Sequence, residues 1–262
     1  MTAATPTPID PEELLVKVKA MYRAVAEAPH DEFHFETGRP LAERLGYPPE
    51  TLDLLPHGAI ESFAGVGYFF DLARLEPGLE VLDLGSGAGM DAFFAAQQVG
   101  SDGRVVGIDM TDEQLAKAER LRAEHDIGNV TFQQGRIEHL PFEEASFDVV
   151  ISNGVINLAP EKDTVFAEAA RVLRPGGALA IADIVTDVPL TEAIVSNVDL
   201  WASCIGGAPQ QRAYQQAMEG AGLHVALTKS NPYQFLSDQA RGASDTFGVK
   251  SVSVLARKEE GR

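Results

Sequence analysis

The sequence predicts a doubly wound α/β domain: a mostly parallel sheet of seven strands, helices on both faces and a helical lid at the N-terminus. Three observations carry this. From Leu79 to Val185, short apolar runs alternate with segments of helical period, the pattern of successive strand–helix–strand crossovers. The run Val81-Leu82-Asp83-Leu84-Gly85-Ser86-Gly87-Ala88-Gly89 passes from a buried strand through a carboxylate into glycines on alternate positions, and an apolar helical segment follows. A second strand, Arg104–Asp109, also ends in a carboxylate.

The elements are read in order. Asp10 is placed to cap a helix, with Pro11 at its first position. Leu14, Leu15, Val18, Met21, Tyr22 and Val25 then share one helical face, and Pro29 ends the helix. Residues 31–70 are short pieces broken by glycine and proline. They concentrate aromatics, among them Phe33, Phe35, Tyr47, Phe63 and Tyr68, which suits a cover over a pocket. Leu79–Leu84 is strand one, followed by a helix to about Val99. Arg104–Asp109 is strand two. Thr111 with Gln114 has capping-box spacing and opens a helix to about Asp126. Val130–Gln134 and Phe147–Ser152 are strands three and four, and Glu161–Leu173 is a helix. Pro175-Gly176-Gly177 ends that helix and Ala178–Val185 is strand five. Residues 190–222 read as mostly helical, and Val225–Thr228 and Val252–Leu255 supply the last two strands.

Bulk properties narrow the chemistry. The chain has 262 residues, 45% of them hydrophobic, enough to bury a sizeable core. A formal charge of −18 repels a phosphate backbone, so a small-molecule substrate is expected and nucleic acid is not. A single cysteine, Cys204, excludes an internal disulfide and a cysteine-based zinc site; no metal is expected. No apolar run reaches the roughly 18 residues that span a bilayer. Met1–Asp10 has neither the basic nor the apolar region of a signal peptide, so the expected setting is cytoplasmic.

The glycine turn admits two cofactor classes. A nicotinamide fingerprint is G-x-G-x-x-G, whereas Gly85, Gly87 and Gly89 give G-x-G-x-G and Met90 stands where the third glycine belongs. Asp83 is unwelcome beside a pyrophosphate and useful beside an ammonium. That favours S-adenosylmethionine, whose methionine end is zwitterionic. Asp109, 24 residues after Gly85, is where a carboxylate can take two ribose hydroxyls.

Several stretches resemble class I S-adenosylmethionine-dependent methyltransferases and, more narrowly, the arsenite methyltransferases. They are Val81–Gly89, Gly107–Thr111, Gly135–Pro141, Ser152–Leu158 and Leu173–Gly177. The resemblance implies a Rossmann-like core over residues 71–262 behind a lid of residues 1–70, with substrate-side elements around 187–222. It implies that Gly85, Ser86, Gly87 and Gly89 wrap the methionine part, that Asp109 binds ribose and that Met110 packs on adenine. Ile137 and Glu138 would lie at the adenine edge, Asn153 near the sulfonium, and Tyr22 would approach the cofactor from the N-terminal helix. Three cysteine positions of the arsenite enzymes compare with Val66, Gly154 and Cys204. Only the last is kept, and one thiol cannot form a two- or three-thiolate site for a soft atom.

The acceptor side is less legible. His34, His57 and Asp199 are candidate general bases, should the acceptor need one. Asn157 and Trp201 join Val66, Gly154 and Cys204 as substrate-side positions. The leading reading is methyl transfer to a small molecule by in-line displacement. The alternatives are a thiophilic acceptor held by Cys204 with an exogenous thiol, a cofactor-binding module without turnover, and a nicotinamide dehydrogenase.

Overall fold

The computed structural model describes residues 10–197, 200–201, 205–236 and 238–260. Among them, seven strands form one sheet in the order β3-β2-β1-β4-β5-β7-β6. These are β1 (Glu80–Leu84), β2 (Arg104–Asp109), β3 (Val130–Gln134), β4 (Phe147–Asn153), β5 (Leu173–Val185), β6 (Leu223–Ser230) and β7 (Lys250–Lys258). Neighbours among β1 to β5 pair in parallel, and β7 runs antiparallel to both β5 and β6. The expected fold class is the one observed.

The helices on the sheet are α6 (Met90–Val99), α7 (Asp112–Glu124), α8 (Lys162–Val172) and α10 (Gln211–Gly220), with the short α9 (Glu192–Val195) between the last two and α11 (Asp238–Phe247) ahead of β7. Leu82, Leu84, Val106, Ile108, Val150 and Ile181 are buried, as strands covered on both faces require. The chain winds outward in opposite directions from β1 and β4. This is the switch point of a doubly wound sheet, where ligands bind beyond the carboxyl ends of the strands.

Ahead of the sheet come α1 (Pro11–Glu27), α2 (Arg39–Leu45), α3 (Pro49–Leu52), α4 (His57–Glu61) and α5 (Phe70–Ala73). Asp10 caps α1 by accepting from Glu12 N at 2.9 Å, as its position suggested. Residue 70 marks no gap in the packing: Leu41, Tyr47, Leu52, Phe63 and Phe70 share one core with Val81, Phe93, Phe94 and Ile151. Only α1 stands over the sheet as a cover. Its Leu14 and Val18 pack on Leu158 and Trp201, with Tyr22 and Met110 against them. It is tied to α7 by Gln114 Nε2 donating to Tyr22 O at 2.8 Å, by Lys117 Nζ donating to Ala26 O at 3.0 Å, and by the Arg23–Glu113 ion pair.

Three local expectations differ. The Thr111/Gln114 capping box does not form, because the Gln114 amide is drawn to the α1 carbonyl instead. Strand β5 begins at Leu173 and runs through Pro175-Gly176-Gly177, with an irregular register opposite Phe147 and Val149. In the 190–222 stretch, the described helices are confined to Glu192–Val195, a turn at Leu200–Trp201 and Gln211–Gly220.

Candidate active site

A cleft opens at the switch point. Asp83, Gly85, Ser86 and Gly87 form its floor. Asp109, Met110, Gly135, Arg136, Ile137 and Glu138 form one wall, and Tyr22 with Leu14, Leu15 and Val18 of α1 the roof. Phe63, Ala64, Gly65, Asn153 and Val155 form the other wall.

The glycine turn has the conformation its composition allows. Gly85, Gly87 and Gly89 have φ of 72°, 53° and 93°, values that side chains with a Cβ adopt at a cost. Gly85 is also confined: a Cβ there would fall 2.6 Å from Val155 Cγ1. Gly89 does not line the cleft. It begins α6, and a Cβ there would meet the Phe132 ring at 2.7 Å.

The electrostatics are dominated by buried carboxylates. Asp83 is 2% exposed and its Oδ2 has no hydrogen-bond partner. Burial and the charges of Asp91 and Asp109 push its carboxyl well above the usual range. Asp109 accepts from Gly87 N at 2.9 Å and from Thr111 N at 2.8 Å; burial raises its pKa, and these backbone donors pull it back. Ser86 Oγ and Gln114 Oε1 are likewise buried without partners at the cleft. The floor is therefore rich in acceptors that lack donors. Such a floor fits an ammonium, a sulfonium and ribose hydroxyls, and it disfavours a pyrophosphate. S-adenosylmethionine thus matches the groups present.

Asn153 lines the cleft, yet its amide is fully engaged. Oδ1 accepts from Val66 N at 2.7 Å and Gly67 N at 3.2 Å. Nδ2 donates to Asp91 Oδ2 at 2.9 Å and Gly67 O at 3.0 Å. Asp91, buried in the first turn of α6, also accepts from Tyr47 Oη at 2.5 Å. Its carboxyl is pushed up to about 6 by burial, against the lowering effect of these two donors. Sequence reasoning missed Asp91, Tyr47 and Gln114. An acid two residues after the last glycine was the available signal for Asp91; Tyr47 and Gln114 offered none.

The acceptor-side positions are partly brought together, but Val66, Gly154, Asn157 and Trp201 do not line the cleft. Val66 is 2% exposed. Gly154, at φ 74°, faces it so closely that a Cβ there would be 3.2 Å from Val66 Cγ1 and 3.9 Å from Val66 Cβ. Asn157 is buried behind the cleft wall, and its N–H donates to Asp183 Oδ2 at 2.9 Å. Asp183, pushed up to about 6 by burial, also accepts from Tyr214 Oη at 2.7 Å. Trp201 donates to Val195 O at 2.6 Å, and Lys162 Nζ lies 4.8 Å from its ring centroid. Asp199 and Cys204 fall outside the described residues.

Neither histidine proposed as a base lines the cleft. His34 stands edge-on to Phe35, centroids 4.6 Å apart. His57 opens α4 with a side chain 80% exposed and turned to Glu61 at 3.3 Å. The physical reason is amphipathic: α4 buries Ala59 and Ile60 and leaves His57 on its outer side. Among the described residues, no group of three or more His, Cys, Asp or Glu side chains is arranged to hold a metal ion.

Comparison with known proteins agrees with this geometry. Residues 75–222 match a family described as a methyltransferase domain. An arsenite methyltransferase from Halobacterium salinarum is 39% identical over 265 residues, covering 95% of this chain and 68% of that protein. An arsenite methyltransferase from Aquipseudomonas alcaligenes is 46% identical over 138 residues, 50% of this chain and 40% of that one. The crystal structure of an arsenic(III) S-adenosylmethionine methyltransferase from Chlamydomonas reinhardtii superposes with a TM-score of 0.64 at 33% identity, over 85% of this chain and 74% of that chain. The chain thus spans about two thirds of the first relative and well under half of the second. With a matched methyltransferase domain, a doubly wound sheet and an acceptor-rich floor at its switch point, the chain belongs to the class I S-adenosylmethionine-dependent methyltransferases, in the branch that includes the arsenite methyltransferases.

Proposed function

We propose that the protein transfers a methyl group to a small-molecule acceptor by in-line displacement at the methyl carbon. The observation that carries this reading is the Asp83 carboxylate, buried with a partnerless oxygen at the foot of the glycine turn. S-adenosylmethionine supplies an electrophilic methyl on a sulfonium when bound. In this reading Asp83 would hold the ammonium, Asp109 the ribose, and Met110, Ile137 and Glu138 the adenine. Arg136 pairs with Glu138 at 3.3 Å and so keeps its own charge occupied beside that wall. Tyr22 and the apolar face of α1 exclude water from above, which the reaction needs for alignment and for avoiding hydrolysis. The net charge of −18 and the single cysteine support a small acceptor in a cytoplasmic setting. Among the described residues no helix is long and apolar enough to cross a membrane.

The relatives favour a second reading, in which the acceptor is arsenite. Here the apolar pair Val66 and Gly154 takes the place of two thiols, so Cys204 with an exogenous thiol such as glutathione would have to hold the metalloid. Incubation with methyl-labelled S-adenosylmethionine separates the readings. Labelled methylarsenicals formed with arsenite and glutathione, and lost in Cys204→Ser, select the second. Label in another small molecule from a cell extract, with none on arsenic, selects the first. No labelled product in either arm rejects both and leaves a binding module.

A further inference from the structure

The Gly65–Tyr68 segment crosses the carboxyl ends of β4 and β5 and the amino end of the antiparallel β7, and carries Val66 into contact with Gly154. It is gripped through its backbone from two sides. On one side Val66 N and Gly67 N donate to Asn153 Oδ1. On the other, Ser251 Oγ donates to Val66 O at 2.6 Å and Ser253 Oγ to Tyr68 O at 3.1 Å. The fit leaves no room for side chains at its glycines: a Cβ at Gly65 would lie 2.6 Å from Asn153 Nδ2, and one at Gly67 2.7 Å from Ala182 Cβ.

The Asn153 amide has only one orientation that serves this grip. Two backbone N–H groups claim its oxygen, so its NH₂ must find acceptors on the far side. Asp91 Oδ2 is one of them, at 2.9 Å. Asp91 is buried and, as a carboxylate, needs donors in return; Tyr47 Oη supplies the second, at 2.5 Å. Tyr47 cannot swing away. Its ring is boxed by Phe63, Tyr68 and Phe94, with centroids 5.3, 4.9 and 5.5 Å distant. Tyr47 Oη also accepts from Asn153 Nδ2 at 3.2 Å and lies 3.5 Å from Gly67 O, so Tyr47, Asp91 and Asn153 form one closed network around the segment.

We propose that Tyr47 and Asp91 are positioning residues which, with the Asn153 amide, fix the Gly65–Gly67 segment and hence the Gly65 part of the cleft wall, with Val66 packed behind it. The proposal rests on the methyl-transfer reading for what that wall faces. Tyr47 itself does not line the cleft, so its removal separates wall from cofactor.

The experiment uses three variants of the whole chain, Tyr47→Phe, Asn153→Asp, and Asn153→Asp combined with Asp91→Asn. Hydrogen–deuterium exchange at Val66 and Gly67 is followed with and without S-adenosylhomocysteine, whose affinity is measured by calorimetry. In Tyr47→Phe, exchange at these two amides rises about tenfold, the scale of one lost net hydrogen bond. Exchange in β1 is unchanged and affinity for S-adenosylhomocysteine stays within about twofold. Asn153→Asp sets two buried carboxylates face to face and loosens the segment further. Asp91→Asn added to it restores one amide and one carboxylate and recovers most of the protection, which a packing role would not do. Unchanged exchange at Val66 and Gly67, exchange raised equally in β1, or no recovery in the double variant overturns the proposal. If the unaltered protein binds no S-adenosylhomocysteine, the methyltransferase reading falls, while the exchange results still decide the grip.

Discussion

Replacing Asp83 by Asn should make the empty protein more stable and the cofactor weaker, by amounts the structure allows to be set. The side chain is 2% exposed and its Oδ2 lacks a partner. Asp91 and Asp109 add like charges nearby. Leaving a buried polar group unsatisfied costs about 1–3 kcal/mol, more when it is charged. Asn keeps the shape and removes the carboxyl whose ionisation burial and the neighbouring acids penalise. The expected gain is about 1–3 kcal/mol, or roughly 2–10 °C in Tm for a domain of this size. Against this, a buried ammonium that loses its carboxylate forfeits about 2–5 kcal/mol, thirtyfold or more in Kd.

The assay is a thermal-shift titration with S-adenosylhomocysteine, which keeps the amino-acid end of the cofactor. Ligand stabilises by mass action, so the two proteins' melting curves should cross as ligand is added: the variant higher when empty, the parent higher when saturated. A proton signature accompanies this. An ammonium beside Asp83 lowers its raised pKa, so binding expels a proton, and the calorimetric enthalpy should follow the ionisation heat of the buffer in the parent but not in the variant. A variant that melts below the parent when empty, or that binds S-adenosylhomocysteine as tightly, would refute the assignment of Asp83 as a buried carboxyl that ionises against a bound cation.

Three further outcomes are expected. Asp183 is raised from 3.8 to about 6 by burial. Its folded pKa exceeds its unfolded one, so its stabilising contribution is present below about pH 4 and lost as pH rises through 6, about 3 kcal/mol in all; unfolding free energies of the parent and Asp183→Asn from urea titrations should diverge by roughly that much between pH 4 and 7. Val18→Asp places a charge where α1 meets Leu158 and Trp201, and should weaken S-adenosylhomocysteine at least tenfold, about 1.4 kcal/mol; tryptic cleavage at Lys17 and Lys19 should lose its protection by that ligand. Val66→Cys with Gly154→Cys puts two thiols at a Cβ separation of about 3.9 Å, at a cost of about 1–2 kcal/mol for the left-handed backbone at 154; the pair should raise Tm with phenylarsine oxide, and the parent should not respond.

Elements with a local signature were readable from the chain alone. Strands β1, β2 and β4 and the Ala178–Val185 part of β5 declare themselves as apolar runs, because a strand covered on both faces needs nothing else. The turn at Gly85 and the acid at Asp109 were legible because backbone conformation and strand-end chemistry are set within a few residues. What escaped was decided by contacts between distant parts. Tyr47 meets Asp91 across 44 residues, and Asp91 meets Asn153 across 62, distances at which no period or spacing carries information. The Thr111/Gln114 box failed for the same reason: Tyr22 O, 92 positions away, outbid the local partner. The α11 helix was missed because Asp-Gln-Ala-Arg-Gly-Ala-Ser-Asp-Thr-Phe mixes Gly, Ser, Asp and Thr, all weak formers, and is held by packing of Ala240 and Ala243.

The two halves of the cleft obey different physics, and this bears on how such a site changes its acceptor. On the donor side the charges sit on strand ends and a helix start, and each is tied to the backbone that makes the fold: Asp109 to Gly87 and Thr111, Asp83 inside β1. Moving any of them disturbs the sheet. On the acceptor side the backbone is gripped just as firmly, by Asn153, Ser251 and Ser253, yet the side chains it presents take no part in the grip. Val66 is held by its N–H and C=O, not by its isopropyl group, and Gly154 N donates to Ala182 O whatever stands at its Cα. Side chains at positions 66 and 154 can therefore change without breaking these backbone hydrogen bonds, at 154 against the cost of a left-handed backbone. An acceptor site built this way can change its chemistry by substitution at two positions while the donor side stays as it is.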